Sequence, residues 1–94
     1  MEIELQETGD KGRFVIQEDG QELGEMTYFT SAPGQITINH TLGFPGSKGK
    51  GAGIRLFNAA VAEARKRGWR IVPECSFVAK VMDQEPEAYA DVRA

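Results

Sequence analysis

The sequence predicts an α+β domain built on a mixed, mostly antiparallel sheet. Two observations carry that expectation. Short alternating apolar segments parted by turn residues fill the first half of the chain, and one strongly amphipathic stretch from about Ala52 to Arg67 follows a glycine-rich run, Lys48-Gly49-Lys50-Gly51-Ala52-Gly53. A short apolar segment after the helix then permits one parallel pairing through a right-handed crossover.

Glu2–Gln6 alternates, with Ile3 and Leu5 on one side, and reads as a first strand. Thr8 to Gly12 is a turn cluster, and Arg13–Glu18 reads as a second strand. Asp19-Gly20 marks a hairpin leading into a third strand, Leu23–Phe29, which Thr30–Gly34 turns through Pro33. Gln35–Leu42 is the clearest strand: Ile36, Ile38, His40 and Leu42 share one face, and Gln35, Thr37, Asn39 and Thr41 the other. Gly43–Lys50 is loop. In the helix, Ile54, Phe57, Val61 and Ala64 step by three and four, with Leu56 and Ala60 widening the stripe. Arg65-Lys66-Arg67 suits the negative end of the helix dipole, and Gly68 stops the helix. Trp69–Val72 reads as a fifth strand ended by Pro73. Ser76 is expected to cap a second helix, Phe77–Asp83, with Phe77, Val78, Val81 and Met82 inward, and Pro86 to start a last helical turn containing Tyr89.

Ninety-four residues, 40% hydrophobic and 27% charged, make one soluble domain spanning 1–94. A net charge of −3 argues against general nucleic-acid binding. The basic residues nevertheless cluster between Lys48 and Arg70, which suits a discrete anionic ligand better than a polymer. A single cysteine allows no internal disulfide, and one histidine with one cysteine makes a four-ligand zinc site improbable, so no metal is expected. With no apolar run near membrane-spanning length and no charged-then-apolar leader, the expectation is a cytoplasmic protein with no membrane partner.

Strand, glycine run and helix N-terminus together suit an anion. Glycines let a ligand approach the backbone closely, and the helix start adds unpaired N–H donors and a positive dipole end. The run is not a P-loop, since no Lys-Ser/Thr pair follows Gly49 or Gly51. Nor is it a dinucleotide fingerprint, because Gly49, Gly51 and Gly53 recur every second residue behind antiparallel strands. What remains is a pyrophosphate loop of the pattern basic-x-x-Gly-x-Gly, or else a merely flexible loop.

The order strand, basic-x-x-Gly-x-Gly/Ala loop, helix, strand, helix resembles the acyl-CoA-binding half of GNAT-type N-acetyltransferases. It is most similar to the very small GNAT-like family built around a Cys and a Gly motif. His40-Thr41, Lys48 through Ile54 with Leu56, and Ala64-Arg65 through Val72-Pro73-Glu74-Cys75-Ser76-Phe77-Val78 to Pro86-Glu87-Ala88-Tyr89 carry the match, over essentially the whole chain. The resemblance implies acetyl-CoA as co-substrate. Lys48, Gly49, Lys50, Gly51, Ala52 and Gly53 would then hold the pyrophosphate. Thr41 and Leu42 would line the pantetheine arm where the fourth and fifth strands splay. By the same carry-over, His40 stands near a general-base position, Cys75 beside the acetyl group, and Tyr89 where a tyrosine protonates the departing thiolate. Each has a plain alternative: His40 as a half-buried core histidine, Cys75 as a small buried residue and Tyr89 as packing. Relative to full GNAT enzymes the chain lacks the two helices after the first strand and the last strand pair.

The implied function is transfer of an acetyl group from acetyl-CoA to an unidentified amine, directly or through an acyl-cysteine. The rival expectations are a non-catalytic CoA-binding or sensing module and a small interaction domain whose loop binds no nucleotide. An exposed sheet edge allows a monomer or a weak homodimer.

Overall fold

The computed structural model describes all 94 residues. Its five strands are β1 (Glu2–Thr8), β2 (Lys11–Glu18), β3 (Gln21–Ala32), β4 (Gln35–Gly43) and β5 (Arg70–Pro73), ordered β1-β2-β3-β4-β5 across one sheet. The first four pair antiparallel in chain order, and β5 lies parallel to β4. This is the mixed sheet the sequence predicts. The strands outrun their sequence signals by one to three residues at several ends. Residues of the expected turns, such as Lys11 and Ala32, still pair across the ladder when a partner strand is at hand. β3 therefore continues to Ala32, and the turn to β4 shrinks to Pro33-Gly34.

Helix α1 (Ala52–Arg67) has the bounds the amphipathic period predicts. It starts behind Gly51 and stops at Gly68, both left-handed. The Gly68 and Trp69 N–H groups return to Ala64 O and close the last turn. Leu56, Phe57, Ala60 and Ala64 are fully buried, but Ile54 is not: it is 42% exposed. The first turn of α1 overhangs the glycine loop rather than the sheet, and Ala52 takes the inward place there. Helix α2 (Ser76–Gln84) begins one residue earlier than expected, with Cys75 and not Ser76 as its N-cap. Cys75 donates its N–H to Ile38 O (2.9 Å), which keeps it extended. Its carbonyl then accepts the first helical bond from Ala79 (3.0 Å). Beyond α2 the chain runs through turns to a single parallel bridge, Ile71 with Arg93.

Both helices share one core. Val78 and Met82 of α2 join Leu56 and Phe57 of α1 against Phe14, Ile16, Met26, Tyr28, Ile36 and Ile38 of the sheet. A fully buried side chain such as Phe57 stabilises the fold by roughly 1.5–3 kcal/mol. The opposite sheet face carries no helix, because β1 passes directly into β2 through Gly9-Asp10.

A bulge in β4 sets which side chains reach which face. Thr27 pairs with His40 but Tyr28 with Ile38, so Asn39 is an extra residue. Its Oδ1 accepts a hydrogen bond from Thr27 Oγ1 at 2.8 Å. One extra residue inverts the alternation beyond it. Thr41 thereby turns to the core side, opposite buried Met26. His40 and Leu42 turn to the open face and are exposed. The expected shared face of Ile36, Ile38, His40 and Leu42, with a half-buried histidine, is thus corrected.

Ion pairs lace the surface, and they set an acid limit. Arg67 holds Glu7 below the usual carboxylate range, Lys50 does the same for Glu18, Arg13 for Glu22 and Arg65 for Asp91. A carboxylate depressed in the folded state stabilises above its unfolded pKa and loses that contribution as pH falls through the folded value. Thermal melts are therefore expected to be flat from neutral pH to about 5, then to drop steadily below the ordinary carboxylate range of about 4. Melts followed by circular dichroism at pH 7, 5 and 3.5 check this; a melting temperature unchanged at pH 3.5 would remove these pairs as contributors.

Candidate active site

The parallel ladder between β4 and β5 ends at Ile38 opposite Pro73. The Cys75 N–H then takes Ile38 O, and the chain turns away into α2. From Asn39 to Gly43, β4 pairs only with β3, so the sheet opens into a wedge with a free β4 backbone along one side. The core-side rim of this wedge is formed by Thr41 and Cys75. The Cys75 Sγ donates to Thr41 Oγ1 at 3.3 Å, and the thiol is half-buried.

The glycine loop follows β4 at the mouth of the wedge. Phe44 N–H to Leu23 O (2.9 Å) anchors its start, and tight turns follow through Ser47 N–H to Phe44 O and Lys50 N–H to Ser47 O. The amides of Lys48, Gly49, Gly51, Ala52, Gly53 and Ile54 have no acceptor in the protein, and no side chain caps α1. Gly49 (φ 78) and Gly51 (φ 67) hold the left-handed turns that leave these donors outward. At Gly53 the reason for glycine is proximity: a Cβ there would lie 3.1 Å from the Phe77 ring, where α1 meets α2. With no acidic residue in the first turn, nothing offsets the positive end of the α1 dipole.

The expected site residues fall into three groups. Lys48 and the loop amides stand together as an open cradle. Lys50 instead carries its ammonium to Glu18 on β2 and its N–H to Ser47 O, so it braces the loop. Thr41 and Cys75 meet inside the wedge, while Leu42 and His40 sit on its open-face side. Tyr89 packs edge-on against Phe57, with ring centroids 5.1 Å apart, and its hydroxyl has no hydrogen-bond partner in the protein.

Sequence reasoning passed over Glu18, Arg55 and Glu25. Arg55 lies one turn into α1 and reaches back to Lys50 O (3.4 Å), five residues away in the loop, a contact that helical spacing does not signal. Glu25 lies 3.4 Å from His40 Nε2 through its Oε2, and Glu18 meets Lys50; both depend on strand register, which local patterns do not carry.

A wedge between two parallel strands, with an amide-rich loop leading into a helix at its mouth, is the arrangement of strand, loop and helix on which the family resemblance rested. The family model described as GCN5-related N-acetyl-transferase matches residues 13–92. The chain belongs to the GCN5-related N-acetyltransferase (GNAT) family. Among solved structures, it is similar to a Staphylococcus aureus protein, determined by NMR and described as a candidate GCN5-like N-acetyltransferase. That pair is 32% identical with a TM-score of 0.63, over 97% of this chain and 87% of the other. A ribosomal-protein-alanine N-acetyltransferase from Brucella melitensis shares the fold at 17% identity and a TM-score of 0.63, over 81% of this chain and 61% of that enzyme. An aminoglycoside N-acetyltransferase solved in complex with CoA shares it at 16% identity and 0.57, over 82% of this chain and 67% of the other. No curated protein matches the chain.

This GNAT domain therefore has the mixed sheet, the glycine loop and the wedge, and leaves its second sheet face open. No helix is long and apolar enough to cross a membrane.

Proposed function

We propose that this protein is an acetyl-CoA-dependent N-acetyltransferase that acts on an amine acceptor in the cytoplasm. The observation that carries the reading is the cradle of unpaired amides at Lys48, Gly49, Gly51, Ala52, Gly53 and Ile54, at the mouth of the β4–β5 wedge. Oriented amides at a helix start match a pyrophosphate in charge and geometry, and Lys48 adds a free cation beside them. Pantetheine would then follow the wedge past Thr41 and Leu42, with a β4 amide beyond Ile38 to polarise the thioester carbonyl.

Cys75 is proposed to receive the acetyl group first, at the inner rim of the wedge. The acceptor nitrogen would approach from the open face. There a groove of about 390 Å³ lies between Arg13 and Asn39, and His40 would take the proton the amine loses. Tyr89 is the proposed proton donor to the departing thiolate, a role that its free hydroxyl leaves open and its packing on Phe57 does not require.

Amide spectra recorded during a coenzyme A titration test the reading. The Lys48–Ile54 signals are expected to shift saturably, followed by those of Thr41 and Leu42. A titration that leaves the loop signals unmoved would remove the coenzyme from this site.

A further inference from the structure

We propose that Glu25 is the positioning residue for the base: its carboxylate fixes the His40 imidazole so that Nδ1 is the free, proton-accepting nitrogen. This rests on the reading of His40 as the base. The bulge at Asn39 brings His40 to the open face, directly across the ladder from Thr27 and beside Glu25. Nε2 then lies 3.4 Å from Glu25 Oε2. At that separation the two groups face each other as an ion-pair contact and not yet as a formed hydrogen bond. A carboxylate only accepts, so when the pair closes by a few tenths of an ångström the nitrogen facing it is the one that carries the hydrogen. A neutral imidazole has a single N–H, which leaves the lone pair on Nδ1.

Glu25 is itself held from behind. Its Oε1 accepts from Arg13 Nε at 2.6 Å, and the same guanidinium reaches Glu22 Oε1 at 2.6 Å and Gln6 Oε1 at 3.2 Å. Side-chain exposure rises along the relay, from 20% at Glu25 to 45% at His40. The buried end is thus the fixed one, and the histidine is the end that meets solvent and acceptor. These contacts join β1, β2, β3 and β4 across the face that carries no helix, where Val15, directly opposite Glu25, is fully buried.

In the transfer step, the acceptor nitrogen forms a bond to the acetyl carbon and the carbon–sulfur bond breaks. The surplus proton on nitrogen passes to Nδ1, and the thiolate takes one from its own donor. The imidazolium so formed faces a carboxylate across Nε2. Glu25 takes no proton; it sets the tautomer and stabilises the charge.

Long-range proton–nitrogen spectra of the folded protein in alkaline buffer test this without turnover. The wild-type imidazole is expected as the Nε2–H tautomer. Glu25→Ala should yield a mixture, and Glu25→Gln, whose amide oxygen still accepts, should keep it. A wild-type Nδ1–H form, or a tautomer unmoved in Glu25→Ala, overturns the proposal. With n-butylamine as acceptor, Glu25→Ala should lower kcat about 10- to 100-fold with the KM for acetyl-CoA unchanged. If the tautomer changes but kcat does not, Glu25 orients an imidazole that is not the base, and the proposal falls while the acetyl-CoA reading stands. Should Glu25→Ala fail to fold, Glu25→Thr, which suits a strand but is too short to reach Nε2, carries both arms; an unmoved tautomer or an unchanged kcat there overturns the proposal equally.

Discussion

Valine at position 51 is expected to abolish coenzyme A binding in a chain that still folds. Gly51 caps α1 with φ 67, and its amide and those of Ala52, Gly53 and Ile54 are all unpaired. Space is not the obstacle, since a Cβ there would meet only Ile54 Cγ2, at 3.6 Å. The obstacle is the left-handed backbone, which costs a bulky residue about 1–3 kcal/mol. The exposed loop can relieve that strain by rotating, and rotation turns the amides away from a common focus. Each hydrogen bond to a charged group is worth roughly 1.5–3 kcal/mol, so losing two lowers affinity about 10²- to 10⁴-fold. Calorimetric titration with coenzyme A reads the loss, and a cooperative melt confirms the fold. Retained affinity would sink the loop assignment.

The contrast between Gly51 and Gly53 shows what the sequence could and could not disclose. A glycine run before an amphipathic helix is a local signal, and the bounds of α1 followed from it. That Gly53 is needed against Phe77, on a helix 24 residues later, is a tertiary fact. The bulge at Asn39 is another. Gln35–Leu42 alternates without a break, so nothing local marks the residue where the register slips. The slip comes from pairing with β3, and it decides that Thr41 meets Cys75 while His40 meets Glu25. Sequence patterns therefore placed Thr41, His40 and Leu42 on β4 but not on their sides of the sheet. Ile54 failed for a related reason: helical periodicity ranks faces, but it does not say where the sheet beneath the helix ends.

A chain incubated with acetyl-CoA is expected to gain the mass of one acetyl group, and Cys75→Ala is expected to gain none. The geometry makes Cys75 a better carrier than a merely buried thiol would be. Its Sγ donates to Thr41 Oγ1, and a hydroxyl can reverse this bond by rotating. Once the thiol loses its proton, Thr41 can donate to the thiolate in place. Removing it should cost the fold only about 1 kcal/mol, since the Thr41 hydroxyl can still turn to solvent. Cys75→Ala should accordingly bind coenzyme A like wild type, separating carrier loss from cofactor loss, whereas Gly51→Val should lose both. Brief hydroxylamine treatment would strip a thioester but spare an amide, excluding stray acetylation of Lys48 or Lys66. If Cys75→Ala transfers acetyl groups at the wild-type rate, the amine attacks the coenzyme thioester directly. Cys75 would then serve only to end the β4–β5 ladder, by taking Ile38 O and so holding the wedge open.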